Sequence, residues 1–157
     1  MEVVVRKARR EELERVNELR KAVNDLHVQG RPAHFKPGFG PELQGCIYDQ
    51  FESDRFDILV ALVGGEVAGF VTLQYIHRPE GPYTLPLDFC RVEEFGVDAG
   101  FRRRGVGTAL VDHMKKEAAA HGLSRIDLDV WAFNDSAKAF YDAAGFTAYR
   151  TYMELEV

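Results

Sequence analysis

Three arginines and two glycines lie close together in the stretch Arg102-Arg103-Arg104-Gly105-Val106-Gly107. The stretch follows an apparent strand at 92–97 and opens an amphipathic helix, in which apolar residues recur at helical spacing. The first N–H groups of a helix are unpaired and carry partial positive charge, and glycine lets a ligand approach the backbone closely. Since the arginine side chains add positive charge at the same point, the stretch predicts an anion site, most simply for a pyrophosphate.

Two common nucleotide motifs do not fit this stretch. A P-loop needs a Lys-Ser or Lys-Thr pair after its last glycine, whereas this chain has Thr108-Ala109. A dinucleotide-binding fingerprint needs a third glycine where Leu110 stands, and it needs the strand to run almost directly into the glycines. The pattern therefore argues against nucleotide hydrolysis and against NAD binding.

Two motifs together resemble those of the GNAT N-acetyltransferase family. The first is Arg/Gln-x-x-Gly-x-Gly after a strand that reads Glu-Glu-Phe-Gly-Val-Asp at 93–98, and it looks like the family's coenzyme A motif. The second, at 130–146, has a strand end, an Asn, a Phe-Tyr pair and a Gly-Phe pair, similar to the family's other signature. The resemblance is sharp over residues 90–147 and matches only the order of elements before them.

The resemblance implies an N-acetyltransferase that uses acetyl-CoA as its co-substrate. In this family the motif strand and the following parallel strand splay apart, and the gap admits the pantetheine arm. Asn134 can cap its helix and also touch that arm. The residues expected to contact acetyl-CoA are Phe95, Val97, Arg102, Arg103, Arg104, Gly105, Val106, Gly107, Thr108 and Asn134.

Acetyl transfer to an amine needs a base, because a protonated amine has no lone pair with which to attack. Glu93 and Glu94 are adjacent on the motif strand and should point to opposite faces, with Glu93 on the face of Phe95. The resemblance suggests Glu93 as the base, although in some family members the base stands two residues earlier, where this chain has Arg91. The plainer alternative is that both glutamates are solvated strand charges.

Tyr141 matches the position of the family's general acid for the leaving thiol. A tyrosine with a pKa near 10 stays protonated at neutral pH and can donate a proton. The alternative is that Tyr141 is a core aromatic residue next to Phe140.

The acceptor pocket is expected between the loops at 28–40 and 77–88, of which the first carries more aromatic residues than a connector needs. The candidate substrate-binding residues are Glu94, His34, Phe35 and Tyr83. Acidic residues near the motif strand favour a cationic amine, such as a small amine, a polyamine or an amino-acid-like metabolite. A protein N-terminus or lysine, and a coenzyme A-binding sensor without turnover, stay open as alternatives.

The pattern of elements predicts a mixed α/β fold, with early hairpins and late strand–helix–strand units that form a mixed central sheet with helices on both faces. Strands are predicted at 3–7, 56–63, 67–76, 92–97, 126–131, 146–149 and 151–155, and helices at 10–26, from 41, from 106 and after 134. With 157 residues we expect a single N-acetyltransferase domain over 1–157.

The composition makes several kinds of partner improbable. A net charge of −5 argues against a nucleic-acid surface, and no apolar run approaches the length of a membrane span. The five histidines do not pair with each other or with cysteines at ligand spacing, so no metal site is expected. We expect a cytoplasmic protein with two reduced cysteines and a small-molecule amine acceptor, and a homodimer is an open alternative to a monomer.

Overall fold

The computed structural model describes residues 2–157, and these form a five-stranded sheet with helices on both faces. The strands are β1 (Val3–Lys7), β2 (Phe56–Val63), β3 (Glu66–Arg78), β4 (Leu87–Val97) and β5 (Ile126–Asp127), adjacent in that order. The helices are α1 (Leu13–Gly30), α2 (Pro41–Phe51), α3 (Val106–Ala120) and α4 (Asp135–Ala143). Strands β1 to β4 are antiparallel, and β5 runs parallel to β4. The predicted mixed α/β architecture is confirmed.

The two faces of the sheet bury separate apolar clusters, and β2 contributes to both. Successive strand residues point to opposite faces, so Leu59, Ala61 and Val63 pack in the cluster that includes α3. Ile58 and Val60 pack in the cluster that includes α1 and α2. The sheet is therefore covered on both sides, which fixes the positions of both α1 and α3 relative to β4.

The β2–β3 hairpin forms as predicted at Gly64-Gly65. Both glycines have positive φ values, +59° and +83°, as a two-residue turn with the twist of paired strands requires. Within residues 2–157, no helix combines the length and the apolar character that crossing a bilayer needs.

The two strands predicted at the C-terminal end are wrong. Residues 146–157 form neither a helix nor a strand, although several of their side chains are apolar. A strand needs an edge with which to pair, and β5 comprises only two residues. Side chains attach the segment instead: the Tyr149 hydroxyl donates to Asp127 at 2.5 Å, and Arg31 pairs with Glu154 at 2.5 Å.

The close approach of α3 to the sheet depends on Gly69 of β3. A Cβ atom at this position would lie 2.9 Å from Val106 Cγ1 and 3.1 Å from the Gly96 carbonyl oxygen. Val106 is the first residue of α3, so Gly69 sets how deeply the start of that helix sits on the sheet.

We predict that Gly69→Ala lowers the free energy of unfolding by about 1–3 kcal/mol, because the added methyl group overpacks this contact. Gly45→Ala is the matched control: nothing lies within 4 Å of its Cβ position inside α2, so alanine should stabilise by about 0.5–1 kcal/mol. Urea unfolding of both variants measures the difference. Equal effects would contradict the close approach at Gly69.

Candidate active site

The main cleft opens where β4 and β5 separate. The two strands pair only through Cys90 with Ile126 and Arg91 with Asp127. Beyond these pairs, residues 92–97 and 128–131 line opposite sides of a cleft of about 1370 Å³, with α1 and the start of α3 as further walls. Since β4 stays paired only with β3 here, its other edge presents backbone groups without a strand partner. This separation is the one that the family resemblance implies.

The turn before α3 presents free backbone donors to the cleft. Within residues 2–157, no acceptor pairs with the N–H groups of 105–108, while the Gly105 carbonyl already accepts from Ala109. Gly105 caps the helix in the left-handed region at φ +77°, a conformation that glycine adopts without strain. Arg103 also has a positive φ, +63°, which is uncommon for a residue with a side chain and typical of functional turns. The geometry fits an anion site.

The two glycines of the motif have different roles. Gly105 supplies the left-handed backbone, whereas Gly107 allows two helices to approach. A Cβ atom at Gly107 would lie 2.9 Å from the ring of Phe140 in α4. The sequence suggested that both glycines admit a ligand, but Gly107 is required by the packing of α3 against α4.

Of the three arginines, Arg102 and Arg103 line the cleft and Arg104 does not. The Arg104 guanidinium lies over the ring of Phe101, 5.5 Å from its centroid. All three are exposed. Two cationic side chains therefore stand beside the free N–H groups.

A bulge in β4 changes the facing that simple alternation predicts. Thr72 of β3 pairs with Glu94 and its neighbour Leu73 pairs with Val92, so Glu93 is the extra residue. Val92 and Phe95 consequently pack against the same cluster, on the α3 side of the sheet. The prediction that Glu93 alternates regularly with Phe95 is wrong, because Glu93 is the extra residue of the bulge, between Val92 and Glu94.

The two adjacent glutamates have different environments. Glu94 accepts from Arg20 Nε at 2.9 and 3.2 Å, and the Arg20 side chain is only 4% exposed. Arg20 also donates to Asn17 and to the Leu43 carbonyl oxygen, so it links α1 and α2 to β4. Glu94 is therefore bound in a structural ion pair, although it also lines the cleft.

Glu93 is exposed to the cleft and has no hydrogen-bond partner among the described residues. The surrounding walls reduce its hydration and raise its pKa. The charges of Asp129 and Glu94 raise the pKa further, and Arg91 opposes them. A free carboxylate with a raised pKa is suited to accept a proton.

Tyr141 lines the same cleft from α4. Burial, followed by the nearby charge of Asp129, raises the pKa of Tyr141 to about 12. Its ring packs edge-on against Phe95 and Phe146, with centroids 6.0 and 5.5 Å apart. Within residues 2–157 its hydroxyl makes no hydrogen bond, so a protonated donor is available in the cleft.

Asn134 caps α4 as predicted, since its side-chain oxygen accepts from the Ala137 N–H at 3.1 Å. Its side chain also lines the cleft, so the amide group remains near the gap between the strands.

An aromatic wall closes the far end of the cleft, and we define it as His27, His34, Phe35, Trp131 and Phe133. Phe35 stacks on His27 with centroids 5.1 Å apart and lies 5.1 Å from Trp131, whose ring is 4.8 Å from His34. His27, Phe35 and Trp131 line the cleft itself, whereas His34 and Phe133 do not. The wall joins α1 to the chain segment after β5.

Tyr83 is the candidate that the structure places away from the site. It is 95% exposed in the loop between β3 and β4 and does not line the cleft. The loop extends from the sheet because β3 and β4 remain paired as far as Arg78 and Leu87.

The sequence did not identify His27 or Arg20 as site residues. The helix was predicted to end at 26, but α1 continues to Gly30, where a Cβ atom would lie 2.0 Å from the Phe133 ring. That glycine was a signal of close contact between α1 and the aromatic wall. Arg20, a charged residue on the buried face of an amphipathic helix, was the corresponding signal for the pair with Glu94.

We predict that Glu94→Gln lowers the free energy of unfolding by roughly 1–3 kcal/mol, because it leaves the buried Arg20 without its counter-charge. Glu93→Gln is the matched control on the next residue and should change stability by less than about 0.5 kcal/mol, since Glu93 is exposed and unpaired. Chemical unfolding of both variants measures this. A larger loss for Glu93→Gln would reverse the assigned environments.

Comparison with known proteins agrees with this geometry. Residues 17–146 match the family model described as Acetyltransferase (GNAT) family. An 82-residue segment is 30% identical to the [Ribosomal protein bS18]-alanine N-acetyltransferase of Escherichia coli K12, and it covers 52% of this chain and 49% of that protein. The chain thus spans about half the length of the curated relatives that it matches.

Solved structures share the fold at low sequence identity. A mutant of the BH1408 protein from Bacillus halodurans superposes with a TM-score of 0.93 at 24% identity, over 98% of this chain and 99% of that chain. AAC(6')-Iy in complex with a bisubstrate analogue, CoA-S-monomethyl-acetylneamine, superposes with a TM-score of 0.79 at 18% identity, over 100% of this chain and 99% of that one. Because the family model matches residues 17–146, which include most of α1 and all of α2, α3 and α4, the chain belongs to the GNAT acetyltransferase family.

Proposed function

We propose that this protein is an acetyl-CoA-dependent N-acetyltransferase whose acceptor is a small cationic amine. The observation that carries the proposal is the continuity of one cleft. The unpaired edge of β4 runs into the free N–H groups before α3, and a free carboxylate and a protonated phenol line the same space.

The cleft fits the chemistry of acetyl-CoA at two points. The N–H groups of 105–108 and the side chains of Arg102 and Arg103 are electrostatically complementary to a pyrophosphate. The open edge of β4 offers backbone partners to an amide-containing arm, which adds to a sheet as a further strand does. When bound, acetyl-CoA supplies an acetyl group activated as a thioester.

In this proposal, Glu93 accepts the proton of the attacking amine, directly or through a water molecule. The bulge presents its carboxylate to the cleft without a competing cation in contact, whereas Glu94 is held by Arg20. Tyr141 donates its hydroxyl proton to the departing sulfur, because its raised pKa keeps it protonated. The acceptor amine is positioned by Phe35 of the aromatic wall and by Glu94.

The acceptor end of the cleft favours a cation. Glu93 and Asp129 are exposed carboxylates without partners among residues 2–157, and both line the cleft near the aromatic wall. The aromatic wall already holds one cation, because the Arg31 guanidinium lies over the Trp131 ring, 5.3 Å from its centroid. Burial lowers the pKa of His27, so this histidine adds no competing positive charge at neutral pH.

An amine panel tests the proposal. Release of free thiol from acetyl-CoA is measured with diamines, polyamines, amino sugars and peptides with free N-termini, and with the corresponding alcohols, which lack an amino group, as blanks. We expect turnover with the small cationic amines. Turnover only with peptides would support the protein N-terminal alternative. Saturable binding of acetyl-CoA without turnover on the whole panel would support a sensor.

We predict that Gly107→Asp weakens acetyl-CoA binding by roughly tenfold or more, because it adds a negative charge to the first turn of α3, which carries the free N–H groups. Gly107→Ala separates this effect from the steric one, since any Cβ contacts Phe140. Titration calorimetry on both variants gives the affinities. Equal losses of acetyl-CoA affinity in Gly107→Ala and Gly107→Asp would show that the pyrophosphate does not bind at this turn.

We predict that Glu93→Gln lowers kcat/KM most at neutral pH and recovers partly at higher pH, where more of the amine is already neutral. Glu93 must be deprotonated to act, so the wild-type rate rises as pH increases through a pKa above that of a free glutamate. The pH–rate profile of the variant should lack that limb. An unchanged profile would remove Glu93 from catalysis.

We predict that Tyr141→Phe lowers turnover by roughly 10²–10⁴-fold with acetyl-CoA affinity nearly intact. Phenylalanine keeps the ring contacts with Phe95 and Phe146, so the change isolates the hydroxyl. Single-turnover kinetics measure the chemical step. Unaltered chemistry would make Tyr141 a packing residue only.

A further inference from the structure

A second cluster of polar side chains lies at the other end of α3, outside the cleft. Glu117 lies in the last turn of α3, His121 is the residue that caps the end of this helix, and Asp57 reaches them from the start of β2. One ligand atom of each residue lies within 4.8 Å of the other two. Glu117 is ten residues beyond Gly107, about 15 Å along the helix, and none of the three residues lines the cleft. The proposed function makes no use of this cluster.

The histidine of the cluster has a fixed tautomer. His121 Nδ1 lies 2.9 Å from the Glu117 carbonyl oxygen, which can only accept a hydrogen bond. Nδ1 must therefore carry the hydrogen, and in the neutral ring the lone pair belongs to Nε2. Histidines that bind metals are commonly oriented in this way, by a hydrogen bond from the other ring nitrogen to a backbone carbonyl or a carboxylate.

Tyr75 of β3 orients the other side of the cluster. Its hydroxyl donates to Asp57 Oδ2 at 2.6 Å, which leaves Oδ1 available. Its ring stacks on His121, with centroids 3.8 Å apart and planes 16° from parallel. The partly buried Tyr75 thus positions two of the three side chains, Asp57 and His121, as residues that support metal ligands do.

The charges in the cluster leave room for a cation. Asp57 and Glu117 are mostly buried carboxylates, each 17% exposed in its side chain. Lys7 Nζ is 3.6 Å from Asp57 Oδ1, but its side chain is 59% exposed and can turn away into solvent. His113 Nε2 lies 3.5 Å from Glu117 Oε1 and is not needed for the triad. Two carboxylates against one loosely held lysine leave a net negative charge.

We propose that Asp57, Glu117 and His121 Nε2 bind a divalent transition-metal ion of the zinc class, with water completing its coordination. One imidazole with two carboxylates suits zinc, whereas magnesium and calcium prefer ligand sets made of oxygen alone. The exposed His121 gives the ion an entry path from solvent. Such an ion would join the last turns of α3 to β2 and stabilise the fold independently of the acetyl-transfer site.

Calorimetric titration of the tag-free, chelator-treated chain with Zn²⁺ tests the proposal, with Mg²⁺ as the comparison ion. We expect one saturable equivalent of Zn²⁺ and no comparable binding of Mg²⁺. At a free Zn²⁺ concentration of about 100 Kd, the folding equilibrium should shift about 100-fold toward the native state, which raises Tm by roughly 5–10 °C. Absence of saturable Zn²⁺ binding would overturn the proposal.

Variants locate the ion. His121→Ala removes an exposed ligand without opening the core, so the folded variant should lose most of its Zn²⁺ affinity. Tyr75→Phe keeps the ring but not the hydrogen bond to Asp57, and roughly 10–100-fold weaker binding is expected. His77→Ala is the matched control, because His77 is another exposed histidine paired with a carboxylate, Asp88. Equal Zn²⁺ affinity in His121→Ala and His77→Ala would overturn the assignment, as would weaker binding in His77→Ala alone.

Discussion

The early end of the pairing between β4 and β5 is the constraint on which the rest of the structure depends. Backbone donors and acceptors in a sheet need hydrogen-bond partners. A strand edge that lacks such partners can therefore pair with another extended chain. Here β4 is paired with β3 from Leu87 to Val97 except at the bulge residue Glu93, while its other edge is free after Arg91. The gap is kept open because β5 diverges and the aromatic wall packs between its continuation and α1.

The helices hold this open edge in place through close contacts. Gly69 lets the start of α3 sit low on the sheet, and Gly96 does the same for α1, since a Cβ there would lie 3.0 Å from Val23 Cγ2 of that helix. The pair of Arg20 with Glu94 ties α1 to β4 on the same side. The free N–H groups before α3 are therefore brought to the end of the open edge by packing, so that one extended ligand can contact both.

The same contacts separate the roles of two neighbouring glutamates. Glu94 is held in a hydrogen-bonded ion pair with the buried Arg20, which makes it an anchor between α1 and β4. Glu93, placed on the bulge, is free of such a partner. A structural carboxylate and a reactive one thus stand side by side, and the difference arises from α1 and β3 rather than from the strand that carries them.

Much of the fold could be predicted from local patterns, whereas contacts between distant segments could not. The Gly64-Gly65 hairpin, the start of α3 and the cap at Asn134 rest on residues a few positions apart, and the structure confirms them. The bulge at Glu93 depends on the register with β3, and the C-terminal strands were wrong because alternation does not reveal whether a partner edge exists. The neighbours of Arg20, His27 and Asp57 likewise come from elements far away in the chain.

Residue-resolved amide hydrogen exchange, with and without saturating acetyl-CoA, tests the central claim most directly. If the open edge of β4 and the turn before α3 hold one ligand, acetyl-CoA should slow exchange at the amides of 105–108. It should also slow exchange at those amides of 93–97 that point away from β3. The amides between β2 and β3 should serve as an internal reference and change little. Saturable binding that leaves both segments unprotected would show that acetyl-CoA lies elsewhere, and it would contradict the account.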